Sequence, residues 1–377
     1  MEKLGAFNYS DLKGDLAELD KLLLGSVVLL CLIGIACIFS AGSSNADRAW
    51  FLARQQFIWL IIACVAYIAI VAIGYERLMD LAYPIYGLTL LLLFLTLVAA
   101  PEVRGTQRML SLGFIRVQPS EFAKVSLIIV LTKYLIRHPP VSIKPFLGGI
   151  GVGFPAFFLV LMQPDAGSGI IYMVIILSML FVAGAPLKYF FCMMASGVAM
   201  MPVAWSFLRE YQRLRILVFL DPARDPLGAG YNAIQSRIAV GSGSLWGRGY
   251  LQGVQSNLRF LPEPHTDFIF SVFAEEFGFF GSVLLLAIFG FVIARIVIAG
   301  TKSRDMRGKI IAAGVAGWIW FQTFQSIGMS IGLMPITGIP LPFLSYGGSA
   351  LLAVSIALGL VGSIYAGSAN RYKQGCL

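Results

Sequence analysis

The residues that invite chemistry in this sequence are charged side chains placed where long apolar runs begin or end. The run His265-Thr-Asp-Phe-Ile-Phe-Ser-Val-Phe-Ala-Glu-Glu276 sets Asp267 at the entry to one of them. An aspartate there has two readings: it caps the helix that follows, or it faces a basic cleft and takes a proton from an attacking hydroxyl. Glu275 lies eight residues on, roughly on the same helical face. Glu275 and Glu276 need partners inside an apolar segment, and the nearby arginines or Lys124 are the candidates. His265 is one of only two histidines; a lone histidine in such a place is more often structural than catalytic.

Two further groups stand at segment ends. In Gln118-Pro-Ser-Glu-Phe-Ala-Lys124, Glu121 and Lys124 are i,i+3 neighbours on one helical face, so each offsets the other's burial. The pair is either a structural ion pair beside a helix start, with Pro119 in the first turn, or part of a working cavity. Arg104-Gly-Thr-Gln-Arg108, followed by Arg116, offers guanidinium forks that suit phosphate oxygens. The same arginines also suit lipid headgroups at an interface. Gln163-Pro-Asp165 ends a span with a helix breaker and a carboxylate. Met334 to Ser349 crowds three prolines and three glycines between two apolar runs. Non-helical backbone at that depth is tolerated where protein buries it or where it lines a cavity.

The elements that position these groups follow from composition. Of 377 residues, 58% are hydrophobic and 12% charged, about half the charge of an ordinary soluble domain. Lipid is therefore the solvent. Apolar runs recur near 22–41, 51–73, 79–99, 119–136, 146–163, 168–185, 189–207, 267–297, 309–334 and 348–366, which predicts an all-α membrane protein of about ten transmembrane helices. The first run exceeds a signal-peptide core and reads as an uncleaved first helix. The five cysteines have no zinc or disulfide spacing, and no nucleic-acid motif accompanies the net charge of +9.

Lys3, Lys13, Lys21, Lys133, Lys144, Lys188, Lys302, Lys309 and Lys373 fall at alternate ends of the spans, which predicts both termini in the cytoplasm. The chain then reads as a single integral membrane domain, residues 1–377. Residues 1–21 form a cytoplasmic segment, and 208–266 a large, partly helical extracytoplasmic loop between helices 7 and 8. Arginines break the lysine pattern: Arg209, Arg213, Arg215, Arg224, Arg237, Arg248 and Arg259 all fall in that loop, and function is the expected reason.

These strings occur together and in order: Gly105-Thr-Gln-Arg108, Gln118-Pro-Ser-Glu121 with Lys124, Gln163-Pro-Asp165, Asp221-Pro222, Gly228-Ala-Gly-Tyr231, Gln235-Ser236, Gly241-Ser-Gly243, Leu261-Pro-Glu-Pro-His-Thr-Asp-Phe-Ile-Phe270, Pro340-Leu-Pro342 and Ser345-Tyr-Gly-Gly348. Across most of its length the chain resembles the SEDS family of peptidoglycan glycosyltransferases, most closely the RodA (elongation) branch, with the division-specific FtsW branch as near alternative. The resemblance implies a ten-helix enzyme of the bacterial cytoplasmic membrane that polymerises lipid II on the outer face. It makes Asp267 the essential aspartate. On the chemistry of their side chains, Arg108, Arg116, Arg215, Gln255 and His265 are the candidate ligands of substrate and pyrophosphate. Glu121, Lys124, Asp165, Glu275 and Ser345 become cavity residues. A Mg2+ or Mn2+ ion is allowed at Asp267, with no organic cofactor expected. The partners implied are a class B penicillin-binding protein, other elongation-machinery proteins and anionic membrane lipids, with no nucleic acid. Met109, Ala166 and Ser326 stand where the family commonly has tryptophan, leucine and asparagine, which bears on local geometry. The rival reading of the same intramembrane charges and broken helices is a flippase for lipid-linked precursor.

Overall fold

The computed structural model describes residues 19–99, 109–112, 115–207, 210–226, 228–258, 260–261 and 263–374. Helices α1 (Lys21–Ala41), α2 (Ala46–Ile73), the short α3 (Tyr75–Asp80) and α4 (Ala82–Ala99) lead to a hairpin of β1 (Leu110–Leu112) and β2 (Ile115–Val117). Its strands pair antiparallel, with Ser111 opposite Arg116. Then come α5 (Pro119–Arg137), α6 (Ile143–Met162), α7 (Ala166–Val182) and α8 (Leu187–Phe207). Between α8 and the next long helix lie α9 (Glu210–Leu220), a 3-10 turn (Pro222–Arg224), α10 (Ala229–Ser242) and α11 (Val254–Asn257). The chain closes with α12 (Ile269–Lys302), α13 (Met306–Ile331) and α14 (Gly348–Gln374).

Each of the ten apolar runs is a helix, as the lipid solvent requires. Seven are long and apolar enough to cross a membrane, and α7 and α8 add shorter apolar stretches. Helix α5 carries Glu121, Lys124, Lys133 and Arg137, and it survives in the bundle because its charges are answered: Lys133 Nζ, for instance, donates to the carbonyls of Met79 and Asp80 at 2.8 and 3.0 Å. The protein is a multi-pass membrane protein. Trp50, Phe57, Leu88, Phe94, Phe158 and Met201 point outward, as side chains do when the surrounding phase is hydrocarbon.

Helix starts follow local chemistry. Asp20 accepts from Leu23 N at 3.0 Å and also pairs with Arg295 of α12 at 2.6 Å. Asn45 caps α2, Asp165 caps α7 and Asp305 caps α13. Packing is pairwise: α14 lies on α2, α13 on α7 and α12, α12 on α1, and α4 on α5. Helix α8 stands nearly bare, its Phe191, Met194, Val198 and Met200 all exposed.

One break matters for everything above it. Inside α12, Gly278 has φ 66° and ψ −162°, a conformation essentially confined to glycine. Into that gap slides the glycine-rich passage after α10. Arg248 and Gly249 N–H donate to the carbonyls of Glu275 and Glu276, both at 3.0 Å, while Phe279 and Phe280 N–H donate to Ser244 and Leu245 at 2.9 and 3.2 Å. Loop backbone thus replaces the helical ladder and satisfies the groups the break frees. A Cβ on Gly278 would lie 2.3 Å from Gly247 N. Gly278→Ala is therefore expected to destabilise the protein by about 2–3 kcal/mol, read as an earlier thermal transition in detergent.

Candidate functional site

Four segments meet around the loop end that carries Asp267. The first is the loop end Glu263–Phe268 itself. The second is the connection between α13 and α14, which grips that loop end through backbone: Tyr346 N–H donates to His265 O at 2.9 Å and the Ser345 hydroxyl to Thr266 O at 2.6 Å. The same hydroxyl accepts from Leu341 N at 2.8 Å, so Ser345 works as a buried clasp. The third is α2, whose Gln56 accepts from Gly347 N at 3.3 Å and whose Gln55 accepts from the Tyr346 hydroxyl. The fourth is the start of α7, which abuts the α13–α14 connection. Between these anchors Gly338, at φ 70°, comes up to the carboxylate: a Cβ there would be 3.4 Å from Asp267 Oδ2.

Helix α12 begins at Ile269, and its cap position is Phe268, which offers no side-chain acceptor. The capping alternative for Asp267 is therefore corrected, and so is the idea that Asp267 and Glu275 share a helical face, since Asp267 precedes the helix. The carboxylate ends the loop, partly buried, where its neighbour Phe268 is fully buried.

His265 stacks edge-on against Tyr346, ring centroids 5.8 Å apart, with Nε2 4.0 Å from Glu263 Oε2. Burial lowers its pKa from the usual 6.5; Glu263 pulls it up and the positive charge of Arg48 pulls it down again. The imidazole is neutral at pH 7. The folded state prefers that neutral form, so its contribution to stability is full above about 6.5 and is lost as pH falls through the lowered value. His265→Gln is expected to flatten the fall in thermal stability between about pH 7 and 5; a melting curve at each pH checks this.

Glu121 and Lys124 meet as the sequence suggests: Nζ to Oε1 is 2.7 Å, with both side chains buried. Lys124 Nζ also lies 4.7 Å above the Trp318 ring of α13. The second oxygen of Glu121 is buried without a hydrogen bond to any described residue. Asp165 caps α7, accepting from Ser168 N and Oγ at 3.1 and 2.8 Å. In the first turn of α7, a Cβ on Gly167 would meet Ile339 at 2.9 Å and Thr337 at 3.0 Å. Asp165 thereby fixes an element against the site from its far side.

Glu275 and Glu276 find partners other than those expected. Glu275 Oε1 accepts from the backbone N–H of Val254 and Gln255 at 2.8 and 3.0 Å. Glu276 Oε1 accepts from Leu251 N at 3.1 Å and from the Ser40 hydroxyl of α1. Among the described residues, neither an arginine nor Lys124 pairs with them. Two buried carboxylates bind the long loop to the bundle because backbone N–H groups there have no ladder to join. Gln255 is held by its own N–H in this cluster, and its Oε1 is buried with no hydrogen bond among the described residues.

The loop arginines whose side chains are described bond mainly to backbone. Arg213 donates to the carbonyls of Trp205 and Ser206 at the end of α8. Arg248 donates to Ser242 O and Arg237 to Gly332 O, and Arg224 pairs with Asp221 on the surface. Three of the seven loop arginines, Arg213, Arg237 and Arg248, thus donate to backbone carbonyls. Arg108 lies outside the described residues; for Arg116, on β2, and Arg215, on α9, only the backbone is described. Of the three departures from the family pattern, Met109 is exposed, Ala166 opens α7, and the Ser326 hydroxyl is buried without a hydrogen bond to a described residue.

Residues 20–370 match the model of the FtsW/RodA/SpoVE family, described as cell cycle proteins. The chain belongs to that family. It is 41% identical over 264 residues to the peptidoglycan glycosyltransferase MrdB of Escherichia coli K12, covering 70% of this chain and 71% of that one. It is 32% identical to the peptidoglycan glycosyltransferase RodA of Treponema pallidum, covering 93% and 98%, and 34% identical to a probable peptidoglycan glycosyltransferase FtsW of Aliivibrio salmonicida, covering 91% and 88%. Among solved structures, it superimposes with TM-score 0.81 and 31% identity on a chain of a peptidoglycan synthase complex that coordinates polymerization and crosslinking, covering 93% and 98%. The rod-shape-determining protein RodA of Thermus thermophilus gives TM-score 0.70 at 29% identity, covering 92% and 96%.

Proposed function

We propose that this chain is a peptidoglycan glycosyltransferase that polymerises lipid II. The observation that carries the reading is the position of Asp267, a carboxylate at the mouth of a clasped loop, faced by a glycine, in a chain whose relatives are named for that activity. The 4-hydroxyl of a terminal GlcNAc attacks the anomeric carbon of a MurNAc joined to undecaprenyl pyrophosphate. The new C–O bond forms as the bond to pyrophosphate breaks, the electron pair leaves with the phosphate oxygen, and an α-linked donor becomes a β-1,4 linkage in one inverting step. Asp267 takes or orients the hydroxyl proton. Arg108, Arg116 and Arg215 are assigned to the pyrophosphate, where charge accumulates in the transition state; neutral His265 and Gln255 are assigned to hydrogen bonds with substrate.

A divalent cation at Asp267 would lend charge to the same leaving group. Asp267 would hold such an ion together with the substrate's own phosphate oxygens, as Mg2+ commonly binds through one or two carboxylates; no step is routed through it. The proposal places the enzyme in the cytoplasmic membrane of a bacterium, with both termini inside and Asp267 outside. Its proposed partner is a class B penicillin-binding protein that cross-links the strands.

The test is polymerisation of purified lipid II by the full chain with its cognate partner, in a preparation free of other transglycosylases. Glycan strands are the expected product. Failure to form strands, together with lipid II translocation in liposomes, would move the assignment to the flippase.

A further inference from the structure

We propose that Gln322 and Gln325 of α13 are positioning residues for the site, and that Trp318 couples Gln322 to the Glu121–Lys124 pair; the inference rests on Asp267 being the acting carboxylate. The segment from Pro335 to Pro340 is neither helix nor strand. Outside any helix or strand, its part-buried carbonyls have no ladder to join and take donors from elsewhere. Two glutamines supply them. Gln322 Nε2 donates to Pro340 O at 2.8 Å. Gln325 Nε2 donates to Pro335 O at 3.0 Å and to Thr337 Oγ1 at 3.2 Å. The two ends of the segment are thus pinned, and Gly338, the residue against Asp267 Oδ2, lies between the pins.

The Gln322 amide is held in one orientation. Trp318 Nε1 donates to its Oε1 at 2.5 Å; the flipped amide would set donor against donor at the indole and acceptor against acceptor at Pro340. The indole in turn lies beneath the Lys124 ammonium. Trp318, Gln322 and Lys124 are all completely buried, so water does not substitute for the links among them. A shift of the ion pair therefore reaches the backbone facing Asp267 through two side chains. Trp318, Gln322 and Gln325 carry no charge, which is why a charge-led reading of the sequence passes over them; the signal was polar amides in an apolar span.

The experiment measures lipid II polymerisation, thermal stability and amide hydrogen exchange on the full chain with its cross-linking partner. Gln322→Met keeps the length and removes both hydrogen bonds. It is expected to lower kcat by about ten- to a hundredfold, the cost of a small misplacement, with KM for lipid II held within about twofold. Amides of residues 336–347 should exchange faster; the orphaned Trp318 N–H and Pro340 carbonyl also lower the melting temperature, but it stays above the assay temperature, so unfolding does not account for the loss of rate. Gln322→Glu is expected to regain rate as pH falls, because the protonated acid restores a donor toward Pro340 O. Where Gln322→Met fails to fold, Trp318→Phe keeps a ring under Lys124 and removes the N–H while Gln322 still reaches Pro340 O; kcat should then fall less, with a smaller rise in exchange.

Unchanged kcat in these variants, a rise in KM alone, or a rate loss that tracks melting temperature would each overturn the inference. Asp267→Asn runs alongside. If it polymerises like the wild type, the reading of Asp267 fails and takes this inference with it. If it is inactive while Gln322→Met is normal, the positioning role alone fails.

Discussion

Asp267→Asn is expected to reduce the polymerisation rate by about 10²–10⁴-fold, the usual worth of a positioned general base, while the melting temperature stays close to that of the parent. The two halves of that expectation come from the same geometry. Asparagine keeps the shape of the side chain and its hydrogen-bonding reach, so Gly338 still has room beside it. It has no basicity, so the proton of the attacking hydroxyl has no acceptor. Stability is largely spared because Asp267 does not occupy the cap position of α12 and asparagine keeps the size and the polar oxygen of a partly buried side chain. Asp267→Glu separates base from orienter. A longer side chain keeps the charge but drives its oxygens toward the Gly338 backbone, so an intermediate rate is expected. Normal strands from folded Asp267→Asn would remove this residue from the chemistry.

What the sequence revealed and what it hid divide along a physical line. Helix number and placement were legible because the bilayer sets a length that a chain must meet with apolar residues. The Glu121–Lys124 pair was legible because three residues make less than one helical turn, so partner and distance are local matters. The convergence on Asp267 was only half legible. Its place at a loop end can be read from the apolar run that follows. The clasp by Ser345, Tyr346 and Gln56 joins residues 79 to 291 positions apart, and no local pattern encodes such a distance. The break at Gly278 was hidden for the same reason: a glycine in an apolar helix draws no notice until the Gly243–Gly249 backbone is seen to enter it. Glu275 and Glu276 misled because charge was matched to charge, whereas their partners are N–H groups that every residue but proline carries.

Lys124→Met is expected to cost about 3–5 kcal/mol, because it strands the Glu121 carboxylate in the interior with no countercharge. Glu121→Gln should cost less. In that variant the ammonium keeps the Trp318 ring, 4.7 Å away, and a desolvated cation–π contact is worth about 2 kcal/mol. Glutamine also keeps an acceptor for the Nζ proton. The order of the two single variants is thus set by which charge retains a second partner, and the orphan second oxygen of Glu121 makes its exposure to the loss of Lys124 worse. The double variant Glu121→Gln/Lys124→Met removes both charges and should recover most of the stability, since buried ion pairs seldom outperform apolar or neutral replacements of similar volume. Thermal melts and polymerisation rates on the same preparations then separate a holding role from a coupling role. If the pair only holds α5 to α13, rate returns with stability in the double variant. If the ammonium also sets the indole that orients Gln322, stability returns and the rate does not, because methionine cannot hold Trp318 in place by charge. Equal stability of both single variants would show that the Trp318 contact carries no weight in this bundle.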